Sequence, residues 1–303
     1  MYSCIKSFMD NDKENGLLLL DMPTGFGKTY SVIKYIAEFI KENSDTGKKI
    51  FFITTLKKNL PVEELKRRLD EMELLHLFEE RVIELKSNVD TVVANYNSSM
   101  YNDIPLEIRN SEEFKNFKAD VEFLKKHTGQ NSDLVRSVRN NFSNNNERIF
   151  RAYMQNTFAR NFPSIKERLL AIKTDSAWQW VGKLYPSVFT SEKQVIFMSM
   201  DKFICPHSTI VEKSYYFYNS KISNGALVFI DEFDATKGTI LKNIIENGLK
   251  EKIDYIELFN HIYAVLKNKT FPERLFIRNE TVVLGWTFST VTVLRQLATA
   301  PSP

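Results

Sequence analysis

The stretch LLLLDMPTGFGKT, residues 17–29, limits what this chain can fold into more than any other. Four consecutive leucines form the short apolar run expected of a parallel strand buried on both faces, and a glycine-containing turn carrying Lys28 and Thr29 follows directly. In TYSVIKYIAEFIKE, residues 29–42, Val32, Ile33, Ile36, Ala37, Phe39 and Ile40 recur at helical spacing, so the turn opens a helix whose first amides can face an anion. Gly25 and Gly27 let the backbone approach phosphate oxygens, Lys28 neutralises the outer phosphates, and the Thr29 hydroxyl is a ligand for Mg²⁺. The expected phosphate-cradling residues are Pro23, Thr24, Gly25, Phe26, Gly27, Lys28, Thr29 and Tyr30.

A second element, ALVFIDEFD at residues 226–234, completes the chemistry. Four apolar residues, 227–230, deliver Asp231 and Glu232 to a strand end, where one carboxylate can hold the Mg²⁺ shell and its neighbour can polarise a water for attack on a γ-phosphate. An apolar run ending in Asp-Glu is common alone; beside a phosphate loop it points to nucleotide hydrolysis. Between the two, the polar stretch at 43–49 leads to the apolar strand IFFIT, residues 50–54. Strand, helix and strand in that order imply a parallel crossover and an open α/β sheet. Further buried strands are expected at 81–85 and 194–200, and a short helix at 2–11 with Tyr2, Ile5, Phe8 and Met9 on one face. After the strand at 50–54, Thr54, Thr55, Lys57, Lys58 and Asn59 offer hydroxyl, ammonium and amide donors where ligands gather in such sheets. Two readings stand there: a grip on a nucleic-acid backbone, or a plain polar loop before a helix that starts at Pro61.

From residue 88 to 192 helical periodicity replaces the alternation of strands and helices. Candidate helices cover 111–127, with Phe114, Phe117, Val121 and Leu124 on one face, and 147–160, with Ile149, Phe150, Tyr153, Met154 and Phe158. NNFSNNN, residues 140–146, is expected to break them as an exposed loop. Trp178 and Trp180 are expected in this region's core; beyond it, the aromatic run SYYFYN at 214–219 is read as core rather than as a surface that touches bases. Residues 109–173 carry thirteen lysines and arginines against seven acidic residues, although the whole chain has a formal charge of only +3. Such a basic helical lobe is either a solvated face or one wall of a strand-binding channel.

PTGFGKT with a non-glycine before it, the Thr54-Thr55 loop and DEFD together resemble motifs I, Ia and II of superfamily 2 DEAD/DEAH-like helicases. The chain departs from that pattern at Met22, where a small residue is usual. The resemblance implies an α/β RecA-like P-loop NTPase domain with a mostly parallel sheet and an inserted, mainly helical subdomain. It further implies that Lys28 and Glu232 are catalytic, that Thr29 and Asp231 hold Mg²⁺ with ATP, and that Thr54, Thr55, Lys57 and Lys58 contact nucleic acid. Asp234 would couple motif II to the next motif, a hydroxyl-rich turn for which Ser289-Thr290 and Ala298-Thr299 fit poorly. The corresponding domains are 1–87 and 193–303 for the RecA-like part and 88–192 for the basic insertion. A helix is expected at 254–267 and a strand at 280–288. No length remains for the second RecA-like domain that would supply phosphate-contacting arginines, and Arg295 is a weak substitute. The expectation is an N-terminal portion of a longer motor, a truncated product, or a protein whose second half comes from a partner, in cis or in trans.

Composition excludes several other classes. With 303 residues, 43% hydrophobic and 26% charged, the chain has the balance of a soluble globular protein. It shows neither an apolar run of membrane-spanning length nor a signal-peptide core, so a cytoplasmic protein without a membrane partner is expected. Cys4 and Cys205 are too few for a disulfide framework or an iron–sulfur site and are expected as buried thiols. The alternative function is a P-loop NTPase switch or regulatory module acting on a protein partner, with a packaging-type translocase as a third.

Overall fold

The computed structural model describes residues 2–9, 18, 26–42 and 47–249. The expected strand at 17–20, the loop residues Pro23, Thr24 and Gly25, and every element expected beyond residue 249 lie outside the described residues. The chain divides into one unit spanning Met1–Ile240 and a second spanning Leu241–Pro303.

Parallel strands buried on both faces are near-continuous apolar runs, and the sheet is built from such runs. Helices α1 (Tyr2–Met9) and α2 (Lys28–Glu42) precede β1 (Ile50–Thr54); α3 (Val62–Glu71) and α4 (His76–Arg81) lead to β2 (Val82–Leu85). A long helical passage follows before β3 (Val195–Ser199), which runs directly into the short α-helix Met200–Ile204, and β4 (Leu227–Ile230) precedes the α-helix Phe233–Leu249. The four strands are all parallel in the order β2-β3-β1-β4. The chain thus leaves a slot between β1 and β2, makes its helical excursion, and returns to fill the slot with β3.

The strand period of two splits the sheet into two apolar faces. Phe52, Val195, Phe197 and Leu227 face α1, α2 and α3, where Ile33, Ile36, Ile40, Leu65 and Leu69 are buried against them. Phe51, Ile53, Ile196 and Met198 face the opposite way and pack with Met200 and Phe217. At the N-terminal edge, Lys49 Nζ donates to the Ser191 and Lys193 carbonyls at 2.8 and 2.5 Å, tying the start of β1 to the returning chain. Burial pushes the ammonium pKa of both Lys49 and Lys193 below the usual lysine value.

The excursion between β2 and β3 holds helices at Asn88–Asn95, Met100–Asp103, Leu106–Asn110, Glu112–Lys126, Asp133–Asn141, Glu147–Asn161, Ile165–Thr174 and Gln179–Leu184. They enclose an aromatic-rich core of their own. Ser111 caps the helix Glu112–Lys126 by accepting from the Phe114 amide, and Ser164 with Glu167 forms a full capping box. Trp180 is fully buried and Trp178 packs against the same core.

Three expectations fail here. NNFSNNN is not a loop: Phe142–Asn146 forms a π-helical turn that joins Asp133–Asn141 to Glu147–Asn161 without a break. Its wider turn seats Phe142 in the core, and the asparagines bond sideways, Asn145 to Asn141 at 2.7 Å and Asn146 to Asp120 at 2.8 Å. Cys4 is exposed, because α1 turns Ile5 inward instead, and Cys205 is only half-buried. The run at 214–219 is split by alternation: Phe217 is buried, whereas Tyr216 and Tyr218 are exposed.

Phe117 sits at the centre of the helical core, with ring centroids 4.4 Å from Phe150, 5.5 Å from Phe142 and 6.1 Å from Phe114. Phe117→Ala is expected to lower the unfolding free energy by about 3–5 kcal/mol. Urea denaturation followed by circular dichroism measures this, and a loss below about 1 kcal/mol would show that this core is not the one holding the helices together.

Candidate functional site

Ligands of open parallel sheets gather at the C-terminal ends of the strands. β1 and β4 are neighbours with Ile53 opposite Ile230, so Thr54-Thr55 and Asp231-Glu232 leave the sheet side by side. The Asp231 amide donates to the Ile53 carbonyl at 2.9 Å, carrying the ladder one bond beyond β4.

Helix α2 ends at the opposite edge. Arg81, just before β2, donates to the Ile40 carbonyl near the C-terminus of α2 at 2.6 Å, and Tyr35 at mid-helix lies 6.2 Å from Phe229 of β4. The helix therefore runs back along the strands, and its first turn, with Lys28 and Thr29, lies toward the edge where Asp231 and Glu232 emerge. Gly27 precedes it at φ +70°, a conformation that glycine adopts without strain, and its carbonyl accepts the Ser31 amide at 2.9 Å. Phe26 and Tyr30 are exposed, and the Arg68 guanidinium lies 5.7 Å from the Tyr30 ring centroid.

The other expected residues fall as follows. Thr54 is fully buried and its hydroxyl donates to the Leu56 carbonyl at 2.8 Å, so its side chain closes the turn. Thr55 Oγ1 lies 3.2 Å from Thr236 Oγ1 on the helix that follows β4. Lys57 and Lys58 stand on the 3₁₀ turn Lys57–Asn59. Of Asp234, only the helical backbone is described.

Two connections were invisible in the sequence. The Asn59 amide nitrogen donates to Glu232 Oε1 at 2.7 Å across 173 residues of chain. Glu232 itself has φ +57°, a left-handed backbone that is costly for a residue with a Cβ. Lys57 Nζ lies 3.6 Å from Asp90 Oδ2, while Arg139 of the helical region bonds the other Asp90 oxygen. Burial alone would raise the Asp90 carboxyl pKa, but the Ser87 hydroxyl, Arg139 and Lys57 outweigh it and hold it below the usual range. No periodicity or local motif marks such pairs.

The donors here suit Mg²⁺ with a nucleotide. That ion takes hard oxygen ligands and fills most of its shell with water and phosphate, so one carboxylate and one hydroxyl suffice. Asp231 and Thr29 are residues of those two kinds and would hold such an ion; among the described residues there is no cluster of three acidic, histidine or cysteine ligands. No protein-family model and no curated protein sequence matches the chain.

His207 was also missed. It is 2% exposed, both ring nitrogens lack a hydrogen-bond partner, and its ring lies 4.9 Å from that of Phe217. Burial, then the charges of Lys202 and Arg151, lower its pKa from 6.5 to about 3. Between those values the unfolded chain takes up a proton that the folded one refuses. His207 therefore costs stability as pH falls below 6.5, by about 1.4 kcal/mol per pH unit. His207→Leu is expected to flatten the curve of unfolding free energy between pH 6.5 and 4.5, measured by urea titrations; parallel curves for the two proteins would refute this account.

Proposed function

We propose that this chain is the ATP-binding motor domain of a superfamily 2-type nucleic-acid helicase or translocase, with a RecA-like P-loop core. The observation that carries the reading is the convergence on one sheet edge of Asp231-Glu232 from β4, Thr55 and Lys57 from the end of β1, and the Lys28-Thr29 end of α2. The motif residues Pro23, Thr24 and Gly25 enter on sequence alone.

In this reading the first turn of α2 takes the phosphates. The positive end of its dipole favours an anion, and Lys28 places an ammonium beside it. Thr29 and Asp231 hold Mg²⁺, which when bound neutralises charge on the phosphate oxygens. Glu232 is the base that orients a water and accepts its proton, while Lys57, Lys58 and Thr55 meet the backbone of a nucleic-acid strand. The basic helical region stands beside that edge, with Arg139 already paired to the residue that holds Lys57. In such motors the arginines that touch the transferring phosphate come from a second RecA-like domain in cis or in trans and contribute roughly 10³–10⁵ in rate.

Two substitutions separate binding from hydrolysis. Lys28→Ala is expected to weaken affinity for a fluorescent ATP analogue at least tenfold, whereas Glu232→Gln keeps the affinity and abolishes phosphate release. Unchanged nucleotide affinity in Lys28→Ala would sink the reading. Hydrolysis indifferent to single- and double-stranded DNA and RNA, with a second domain present, would turn the assignment to a nucleotide switch acting on a protein partner.

A further inference from the structure

We propose that the turn Lys57–Asn59 is a latch: it ties up Glu232 through Asn59, and a nucleic-acid phosphate releases it by taking Lys57 and Arg139 away from Asp90. The inference rests on the function proposed above and adds a means by which strand binding controls hydrolysis.

The latch has two ends, two residues apart. At one end the Asn59 amide donates to Glu232 Oε1 at 2.7 Å. At the other, Lys57 Nζ lies 3.6 Å from Asp90. The turn between them is closed by its own backbone, with the Asn59 amide on the Leu56 carbonyl at 2.9 Å and the Leu60 amide on the Lys57 carbonyl at 3.2 Å. A pull on Lys57 is therefore passed to Asn59 within one rigid turn.

Asp90 stands where a phosphate would. One carboxylate lies between an ammonium and a guanidinium that come from separate parts of the chain, Lys57 from the end of β1 and Arg139 from the helical region. The lysine and arginine side chains are 50% and 46% exposed, so a solvent-borne anion can reach both. A phosphodiester oxygen offers the same charge as the carboxylate and a geometry that Arg binds well. Asp90 is itself fixed in place: Ser87 caps its helix by accepting from the Asp90 amide and donates to its carboxylate. It cannot follow the cations when they turn outward.

The effect on Glu232 follows from geometry. The bond from Asn59 occupies Oε1, an oxygen that a general base needs within reach of the water, and fixes where the carboxylate points. Glu232 held by Asn59 is therefore aimed at the turn, and Glu232 released is free to turn toward a water. Two sites biasing one two-state element are thermodynamically coupled, typically by 5–150-fold.

The test is single-turnover hydrolysis of radiolabelled ATP by the full chain, with and without a 30-nucleotide oligo-dT or oligo-rU, in wild type, Asn59→Ala and Asp90→Asn, with Glu232→Gln as the zero. Asn59→Ala is expected to raise the oligonucleotide-free rate about fivefold or more and to bring the stimulation factor close to one. Asp90→Asn keeps the capping geometry, and is expected to tighten oligonucleotide binding in fluorescence anisotropy and steepen its salt dependence by about one phosphate contact. If Asn59→Ala lowers the rate with and without oligonucleotide, Asn59 aligns Glu232 instead of restraining it, and the latch is wrong while the motor reading stands. The latch is equally overturned if wild type is stimulated and both variants behave like it. A wild-type chain that binds ATP but never responds to either oligonucleotide removes the latch; the helicase reading falls with it only if the response is also missing with a second domain present.

Discussion

Parallel pairing of β1 is the constraint on which the rest of the structure depends. β1 is bonded on both sides, to β3 and to β4, and all five of its residues are buried. Because its neighbours run the same way, every strand ends at the same edge, and the residues that follow β1 and β4 are brought together without any contact between their side chains being required first. The two edges then divide the work. At the N-terminal edge Lys49 and Lys193 spend their ammonium groups on backbone carbonyls, Lys49 on Ser191 and Lys193 on Glu80 at 3.0 Å, and burial lowers the proton affinity of both. At the C-terminal edge Lys57 stays half exposed and pairs with a carboxylate that an outside anion can replace. The same residue type is structural at one edge and available for binding at the other because the strands' polarity decides which edge the helices close.

The helical excursion is possible because β3 returns to an inner slot. A passage of about a hundred residues between β2 and β3 costs little in loop-closure entropy when it folds on its own core. That core is dense in aromatics, with Phe114, Phe117, Phe142, Phe150, Phe158 and Trp180 all fully buried. Its one buried ion pair joins Glu147, 3% exposed, to Arg151 four residues on at 3.0 Å. Such a pair rarely adds stability over apolar packing, since desolvation offsets the attraction. Arg151 and Lys202 also place positive charge near His207, adding to the burial that first of all keeps its ring neutral.

How much of this was legible in the sequence depends on the range of the interaction responsible. β1 and β3 were legible because strands buried on two faces leave unbroken apolar runs, β4 because its run is apolar although Val228 and Ile230 are exposed, and Glu112–Lys126 because its phenylalanines recur at the helical period. NNFSNNN was misread because local propensity weighs asparagine as a breaker, whereas Phe142 anchors the turn through contacts with Phe117 that lie 25 residues away in sequence. Cys4 was misread because burial by residue type ignores which side of a short helix meets the sheet layer. Asn59 was read as a donor either to a nucleic-acid backbone or within a plain polar loop; in the structure it bonds Glu232, and nothing in the spacing of two residues so far apart could have shown it.

That last bond is informative about the site. A motif describes residues one at a time against an ideal ligand, so every donor near a phosphate loop is credited with a ligand contact. In the folded chain the same donors also find one another: Thr54 bonds Leu56, Thr55 approaches Thr236, Lys57 meets Asp90, and Asn59 holds Glu232. Each internal bond satisfies a polar group at this edge, and a ligand that takes one of these donors must exchange for its internal partner. Binding at such an edge is therefore a substitution of partners. Where two of those partners share a three-residue turn, as Lys57 and Asn59 do, exchanging one cannot leave the other unmoved.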